Sequence, residues 1–244
     1  MTIFARAKLR QTDQIRVCQP HTHMDGDPDM PFSRFSSLVN SARSRFFTSA
    51  FGWGYRLTIR KGGGWAEPLM QEAAPRSGQR ILEVSAEGCS ICVALASQYP
   101  AVHVSAVHPA GLGQSAPEPL SNLELLNGSQ CCIECHAASF DKVICALALH
   151  PLTQNKKLAL LKEMRRVLRH GGTLHLADFD QPQRPLEIHA LRGTGYLFGA
   201  GTAKSHHDGT WLNLIKQAGF IGVRRVETFS EIVGRIAIVR ARRG

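Results

Sequence analysis

Apolar residues alternate between short continuous runs and longer helical stripes from Arg80 to the end of the chain. Continuous runs are typical of strands covered on both faces, whereas spacings of three and four indicate helices. The clearest helix spans residues 153–172. Its apolar face carries Leu158, Leu161, Met164, Val167 and Leu168. We predict that it closes on Arg169, His170 and a Gly-Gly C-cap, as the helix dipole and left-handed cap geometry favour.

The same patterns predict the remaining elements of the chain. Strands are expected at residues 80–84, 102–107, 123–127, 140–149, 173–179, 223–229 and 235–242, and helices at 65–74, 89–100 and 211–220. The stretch "SHHDG" before the last helix is interpreted as a loop. Strands that alternate with helices predict an α/β fold with a doubly wound, mostly parallel sheet, which binds ligands at the carboxyl ends of its strands.

The first third of the chain differs from the rest. Residues 1–40 are basic and rich in turn-formers, which predicts a loosely ordered N-terminal arm. Residues 41–75 are predicted to form a helical cap, and residues 76–244 the α/β domain. No apolar run is long enough to span a membrane, and the first residues lack the apolar core of a secretory signal, so cytoplasmic residence is expected.

Composition limits the classes of partner. The formal net charge is +10, and 43% of the residues are hydrophobic, as in an ordinary globular core. A basic balance favours anionic partners, but aromatic and basic residues are not interleaved as in single-strand binders, so nucleic acid is not expected. Seven scattered cysteines argue against a disulfide scaffold.

Four stretches carry a resemblance to a known family: "ILEV", "SFDKVICALALHPL", "LLKEMRRVLRHGGTLHLADF" and "IKQAGF". In these the chain resembles class I S-adenosylmethionine-dependent methyltransferases, and within them the type 11 group that includes quinone-biosynthesis C-methyltransferases. The resemblance implies a seven-stranded Rossmann-like sheet whose last strand is antiparallel. It also implies S-adenosylmethionine as the cofactor and methyl transfer to a small molecule.

The resemblance places a cofactor loop after the first strand. The acid that ends this strand in the family is Glu83, and three loop glycines of the family fall on Ser85, Glu87 and Cys89, with Gly88 one place out of register. Glycines serve there because the backbone turns tightly and approaches the cofactor without a Cβ in the way. The loop is therefore a degenerate form of the family motif.

Other cofactor positions are also altered. The ribose-binding acid of the second strand is replaced by His108, and the segment after the third strand offers Ser129 and Gln130. Ala146, at the end of the fourth strand, completes the implied cofactor site. A neutral imidazole accepts one hydrogen bond where a carboxylate accepts two. The candidate catalytic residue is His150, either as a general base or as a simple cap of its strand.

Two alternatives to an active methyltransferase remain open. Several altered cofactor contacts together would weaken binding strongly, which favours a catalytically silent protein of the same fold that associates with itself or with an active relative. A second alternative is a metal or redox protein. It would use two Cys-x-x-Cys pairs, whose spacing suits thiolate ligands: Cys89 with Cys92, and Cys132 with Cys135.

Overall fold

The computed structural model describes residues 64–85, 90–107, 120–126, 128–129, 132–198, 201–231 and 234–244. Within these ranges seven strands form one sheet: β1 (Arg80–Ser85), β2 (His103–Val107), β3 (Leu123–Leu126), β6 (Phe140–Ala146), β7 (Leu168–Phe179), β8 (Phe220–Glu231) and β9 (Gly234–Arg243). Two short strands, β4 (Gly128–Ser129) and β5 (Cys132–Ile133), form a separate antiparallel pair.

The large sheet has the strand order β3-β2-β1-β6-β7-β9-β8. The pairs β1–β2, β2–β3, β1–β6 and β6–β7 are parallel, whereas β9 runs antiparallel to both β7 and β8. This arrangement confirms the predicted doubly wound, mostly parallel α/β sheet with an antiparallel last strand. The carboxyl ends of β1, β2, β3, β6 and β7 therefore meet at one edge, where such folds bind ligands.

Helices cover both faces of the sheet: α1 (Ala66–Ala73), α2 (Ser90–Gln98), α3 (Gln154–Val167), α4 (Pro185–Phe198), α5 (Lys204–His207) and α6 (Trp211–Gln217). Successive strand residues enter two separate core clusters, because side chains alternate between the faces of a strand. One cluster joins the sheet to α1 and α2 through residues such as Leu69 and Leu95. The other joins it to α3 and α6 through residues such as Leu160 and Trp211.

The end of α3 differs from the prediction. The helix ends at Val167, and Leu168 is already extended, with φ −69° and ψ 145°. An arginine from β9 supplies the cap instead of the Gly-Gly pair. The guanidinium of Arg243 donates to the carbonyl oxygens of Arg165 (3.1 Å), Arg166 (2.9 Å) and Leu168. A cation at the helix C-terminus satisfies the last carbonyl groups and complements the dipole.

Two helices were not predicted from the sequence. Helix α4 begins at Pro185, whose fixed φ suits the first turn, and the Glu187 carboxylate accepts hydrogen bonds from the Gln183 and Arg184 amides at 2.8 and 3.2 Å. Interior glycines weaken its helical pattern in the sequence. Helix α5 corrects the interpretation of "SHHDG" as a loop, because Ser205 and His206 lie in this helix and are buried.

The N-terminal predictions are described only in part. The predicted arm at residues 1–40 and the cap residues 41–63 lie outside the described residues. The helix expected at residues 65–74 is present as α1, and it packs into the same core cluster as the sheet. Among the residues that the structure describes, no helix is both long and apolar enough to cross a membrane.

Candidate active site

A buried carboxyl group lies at the carboxyl edge of β1. Glu83 is the fourth residue of this strand, and its side chain is completely buried. Neither of its oxygens has a hydrogen bond of normal geometry to the described part of the chain. Burial raises the pKa of Glu83 to about 8, and the Ser85 hydroxyl opposes that shift only in part. A buried carboxyl without full hydrogen bonding is costly, so this position favours a cationic or hydrogen-bond-donating ligand.

The strand ends next to Glu83 carry small side chains. Ser85 ends β1, is almost fully buried, and lies opposite Ala146 in the register of β1 with β6. The backbone of Ser129 forms part of the antiparallel β4–β5 pair. The remaining predicted cofactor residues lie outside the described residues and stay predictions: Glu87, Gly88, Cys89, His108 and Gln130.

A buried histidine–aspartate pair lies just beyond the ends of β6 and β7. The His150 Nδ1 is 3.1 Å from the Asp178 Oδ1, and both side chains are fully buried. The Asp178 Oδ2 accepts hydrogen bonds from the amides of Leu149 (2.8 Å) and His150 (3.2 Å), and Oδ1 accepts one from the Phe179 amide (2.8 Å). Asp178 thus fixes both the imidazole of His150 and the backbone segment that carries it.

The surroundings of Asp178 keep it ionised. Burial alone would raise its pKa, but the charge and hydrogen bond of His150, together with His206 and the Leu149 amide, outweigh burial and lower the pKa to about 2. A carboxylate that accepts from the Nδ1–H of an imidazole selects the tautomer in which Nε2 carries the lone pair. The proton-accepting nitrogen of His150 is therefore Nε2.

The segment that leads to His150 has an unusual backbone conformation. Leu147 has a φ of +52°, and its amide donates a hydrogen bond of 2.8 Å to the Ala177 carbonyl oxygen. A left-handed conformation at a leucine costs about 1–3 kcal/mol and persists only where the surrounding structure enforces it. The hydrogen bonds that Asp178 and Ala177 accept hold the segment in this conformation. Two residues of β7 thus fix the position of His150.

A buried lysine lies beside this pair. Lys157 on α3 is fully buried, and its Nζ donates to the carbonyl oxygen of Thr202 (2.6 Å) and to the Ser205 Oγ (3.0 Å). Burial lowers its pKa to about 8, while the negative charges of Asp178 and Asp208 oppose the shift. Sequence reasoning missed this residue. A signal existed, because Lys157 lies on the apolar stripe of α3 that includes Leu161 and Met164.

A second histidine completes the buried polar cluster. The His206 Nδ1 donates to the Phe179 carbonyl oxygen at 2.6 Å, and the ring stacks on Trp211 with centroids 5.3 Å apart. Burial and the positive charge of Lys157 lower its pKa to about 3, so the ring is neutral. Its Nε2 has no hydrogen-bond partner within the described ranges. The sequence carried no clear signal for this role.

Cys92 and Cys135, one from each Cys-x-x-Cys pair, lie on opposite faces of the sheet. Cys92 lies in the core cluster of α1 and α2, whereas Cys135 packs against the cluster of α3 and α6 on the opposite face of the sheet. Burial raises the pKa of Cys135, which disfavours a thiolate. Cys89 lies outside the described residues. Within the described ranges no group of three histidine, cysteine, aspartate or glutamate side chains is arranged to hold a metal ion.

The edge formed by β1, β6 and β7 thus combines two kinds of chemistry. Glu83 provides a buried carboxyl that suits a cation, and the His150–Asp178 pair provides an oriented imidazole that can move a proton. Glu83 lies on β1 and Asp178 on β7, and His150 follows β6, which lies between these two strands. A site of this composition can bind a positively charged cofactor and remove a proton from a second molecule.

Known proteins share this arrangement of strands. Residues 81–172, which include Glu83 and His150, match the family model described as a methyltransferase domain. A demethylmenaquinone methyltransferase of Staphylococcus aureus is 26% identical over 183 residues, which is 66% of this chain and 75% of that protein.

Solved structures show the same fold at low sequence identity. Phosphoethanolamine N-methyltransferase 2 of Haemonchus contortus, in complex with phosphomonomethylethanolamine and S-adenosylhomocysteine, has a TM-score of 0.64 at 14% identity; the match covers 89% of this chain and 61% of that one. The cyclase SpnF has a TM-score of 0.54 at 13% identity, with 73% and 79% covered. A likeness at such identity shows the fold alone, and the same fold carries different chemistries. Residues 81–172 thus match a methyltransferase domain, and the seven-stranded sheet has the Rossmann-like fold of solved S-adenosylmethionine-dependent methyltransferases.

Proposed function

We propose that the protein binds S-adenosylmethionine at the carboxyl ends of β1 to β3 and transfers its methyl group to a small molecule beside β6. The observation that carries this proposal is the buried carboxyl of Glu83, whose oxygens lack hydrogen bonds of normal geometry from the described residues. This group lies on the strand that leads into the cofactor loop of the family.

The residues around Glu83 fit such a cofactor. S-adenosylmethionine carries an ammonium and a sulfonium cation, and a buried carboxylate becomes stable when a cation lies next to it. The small side chains of Ser85 and Ala146 leave room for close approach at the same edge. When bound, the cofactor supplies an electrophilic methyl group. Glu83 would hold the cationic part, and the main task of the chain is to position the two reactants and exclude water.

The His150–Asp178 pair suits an acceptor that has a weakly acidic hydroxyl group. The Nε2 of His150 would accept the hydroxyl proton, which makes the acceptor a better nucleophile. Asp178 keeps the ring oriented and stabilises the imidazolium that forms. Reduced demethylmenaquinone has such hydroxyl groups. The relative from Staphylococcus aureus is named for this substrate, so we choose it as the first acceptor to test.

Calorimetric titration of the full chain with S-adenosylhomocysteine and S-adenosylmethionine tests cofactor binding. We expect saturable heat with one ligand per chain and a dissociation constant in the micromolar range, because the ligand provides a cationic partner for the buried carboxyl of Glu83. The exposed α4 variant His189→Gln is a suitable control and is expected to bind equally well. Absence of heat at millimolar ligand would contradict the proposal.

A second candidate function is that of a catalytically silent protein that acts by association. The observation that favours it is Ser85, which stands at the first glycine position of the family loop and whose side chain is buried beside Glu83. This candidate predicts no cofactor heat and a stable complex, either with a second copy or with an active methyltransferase. Native mass spectrometry of the same sample would detect the homodimer.

Proton release gives a sharper test of the role of Glu83. Its free carboxyl, with a pKa of about 8, is mainly protonated at neutral pH. A bound cation stabilises the carboxylate and lowers that pKa, so we expect ligand binding at neutral pH to release close to one proton. Affinity should rise with pH up to about 8 and level off above it. Calorimetry in buffers of different ionisation enthalpy measures the released proton.

The variant Glu83→Gln is the matched comparison. It keeps the size of the side chain but has no proton to release, so its binding enthalpy should not depend on the buffer. In the ligand-free protein, the folded state keeps a proton on Glu83 that the unfolded state loses. The free energy of unfolding of the wild type should therefore fall as the pH rises from about 4.5 to about 8. Equal proton release by wild type and variant would exclude Glu83 as the linked group.

A further inference from the structure

A cluster of basic side chains lies on one face of the sheet. In the strand register, Lys142 of β6 lies opposite Thr173 of β7, which lies opposite Arg242 of β9. One step further along the same face, His175 of β7 lies opposite Arg240 of β9. These side chains share the face that α1 covers in part. We call Lys142, His175 and Arg240 the basic cluster.

The charges of this cluster are poorly balanced. Lys142 is half-buried, and within the described residues it has no hydrogen bond or ion pair. Burial is the largest cause that lowers its pKa, and the positive charges of Arg240 and Arg76 lower it further, while Asp141 and Glu72 oppose the shift in part. The neighbouring Asp141 is engaged elsewhere, because its oxygens bind the Arg169 guanidinium (2.6 Å) and the Arg80 amide (2.8 Å).

One carboxylate partly compensates the arginines. Glu72 of α1 lies 3.3 Å from the Nη1 of Arg240 and 3.6 Å from the Nη2 of Arg224. These two arginines are register partners on β9 and β8, an arrangement of like charges that is unfavourable without a counter-ion. Glu72 therefore holds Arg240 beside the sheet, whereas it acts on Lys142 only through a charge interaction that offsets the neighbouring arginines in part.

The histidine of the cluster adds an unused hydrogen-bonding atom. His175 is buried, with 1% of its surface exposed, and its Nε2 lies 2.9 Å from the Thr173 Oγ1. Its Nδ1 has no hydrogen-bond partner in the described part of the chain. Burial and the charges of Lys142 and Arg240 lower its pKa to about 3, so the ring is neutral. When the Thr173 hydroxyl donates to Nε2, Nδ1 carries a hydrogen that lacks an acceptor.

We propose that Lys142, Arg240 and His175 form a binding site for an oxyanion of the phosphate type. The guanidinium fork of Arg240 matches two oxygens of such a group, and Lys142 adds a point charge. The Nδ1–H of His175 can donate to a third oxygen. A bound anion would remove the repulsion at Lys142 and satisfy the buried nitrogen of His175. The same chemistry recognises free phosphate and a phosphate ester of a larger ligand.

This site does not depend on the proposed methyl transfer. Lys142 lies near the amino end of β6, and His175 lies two strands from Glu83 in the same row of the sheet. The basic cluster and the proposed cofactor site are thus formed by different residues. Anion binding by the basic cluster can be measured in the full chain without cofactor, so failure here and failure of the methyltransferase proposal give different results.

Titration with inorganic phosphate and with pyrophosphate at low ionic strength tests the proposal. We expect saturable one-site binding, a ring resonance of His175 that shifts with the same constant, and a raised pKa of Lys142. Lys142→Met and Arg240→Met should each weaken binding about tenfold or more, since each removes one charged contact. Glu72→Gln should strengthen it, because a competing carboxylate is neutralised. If the natural ligand is the inorganic ion, phosphate alone should saturate the site. If the site serves phosphate esters, pyrophosphate should bind more tightly than phosphate.

Matched controls separate this site from general charge attraction. Lys216→Met on α6 and Arg192→Met on α4 remove the same charges from exposed positions elsewhere and should leave the affinity unchanged. The proposal is overturned if wild type shows no saturable binding, if the controls weaken binding as much as the cluster variants, or if the His175 resonance does not respond. Circular dichroism of each variant confirms that it is folded before titration.

Discussion

Replacing Asp178 by alanine is expected to reduce the free energy of unfolding by about 3–5 kcal/mol, because a buried carboxylate is removed while the groups that donate to it stay buried. The amides of Leu149, His150 and Phe179 and the His150 ring would all lose an acceptor. Urea unfolding followed by circular dichroism measures the change. A midpoint equal to that of wild type would show that Asp178 does not hold the segment after β6.

The comparison Asp178→Asn tests the charge separately from the shape. The pKa of Asp178 is lowered from 3.8 to about 2, so its carboxylate contributes stability above the higher value and loses it as pH falls towards the lower one. Asparagine does not titrate. The difference in stability between wild type and Asp178→Asn should therefore shrink when the pH is lowered through this interval. A difference that is constant with pH would contradict an ionised Asp178.

His150→Gln is expected to lower kcat for methyl transfer to reduced demethylmenaquinone by about 10²–10⁴-fold, the usual contribution of a general base. Glutamine retains a hydrogen-bond donor for Asp178 but has no nitrogen that accepts a proton at neutral pH. Transfer of a radiolabelled methyl group from S-adenosylmethionine measures the rate. Affinity for S-adenosylhomocysteine should change little, because Glu83 lies on a different strand and remains intact.

The matched control for this substitution is His189→Gln, which makes the same exchange at an exposed position of α4. We expect it to retain wild-type kcat. A variant with unchanged kcat would assign His150 to a purely structural role after the end of β6.

Local sequence patterns were sufficient to predict the sheet. The run "RILEV" and its counterparts are continuous and apolar because each strand is covered on both faces, and the structure places them in adjacent strands of one sheet. The apolar stripe of α3 was equally clear, with Leu161, Met164 and Val167 buried as expected. Family resemblance added the position of Glu83 at the edge of β1. These features depend on residues that are close in sequence.

The features that escaped prediction depend on partners distant in sequence. Arg243 caps α3 although it lies more than seventy residues further along the chain. The sequence near Val167 therefore does not indicate where the helix ends. Lys157 is buried because Thr202 and Ser205 meet its Nζ, and those residues lie in a segment that has no strong pattern of its own. His206 donates a hydrogen bond to the carbonyl oxygen of Phe179, which is 27 residues away in the sequence. Such contacts can be identified only when the order of the strands in the sheet is known.

The position of β9 has a consequence for how the chain acquires this sheet. In the described sheet β8 pairs with β9 alone, and β9 also covers the outer edge of β7. During synthesis β7 and β8 leave the ribosome before the strand that joins them. Until β9 emerges, the outer edge of β7 has unpaired backbone groups, and open strand edges are prone to association. The nascent protein thus passes through an interval in which this edge is open to pairing with another chain.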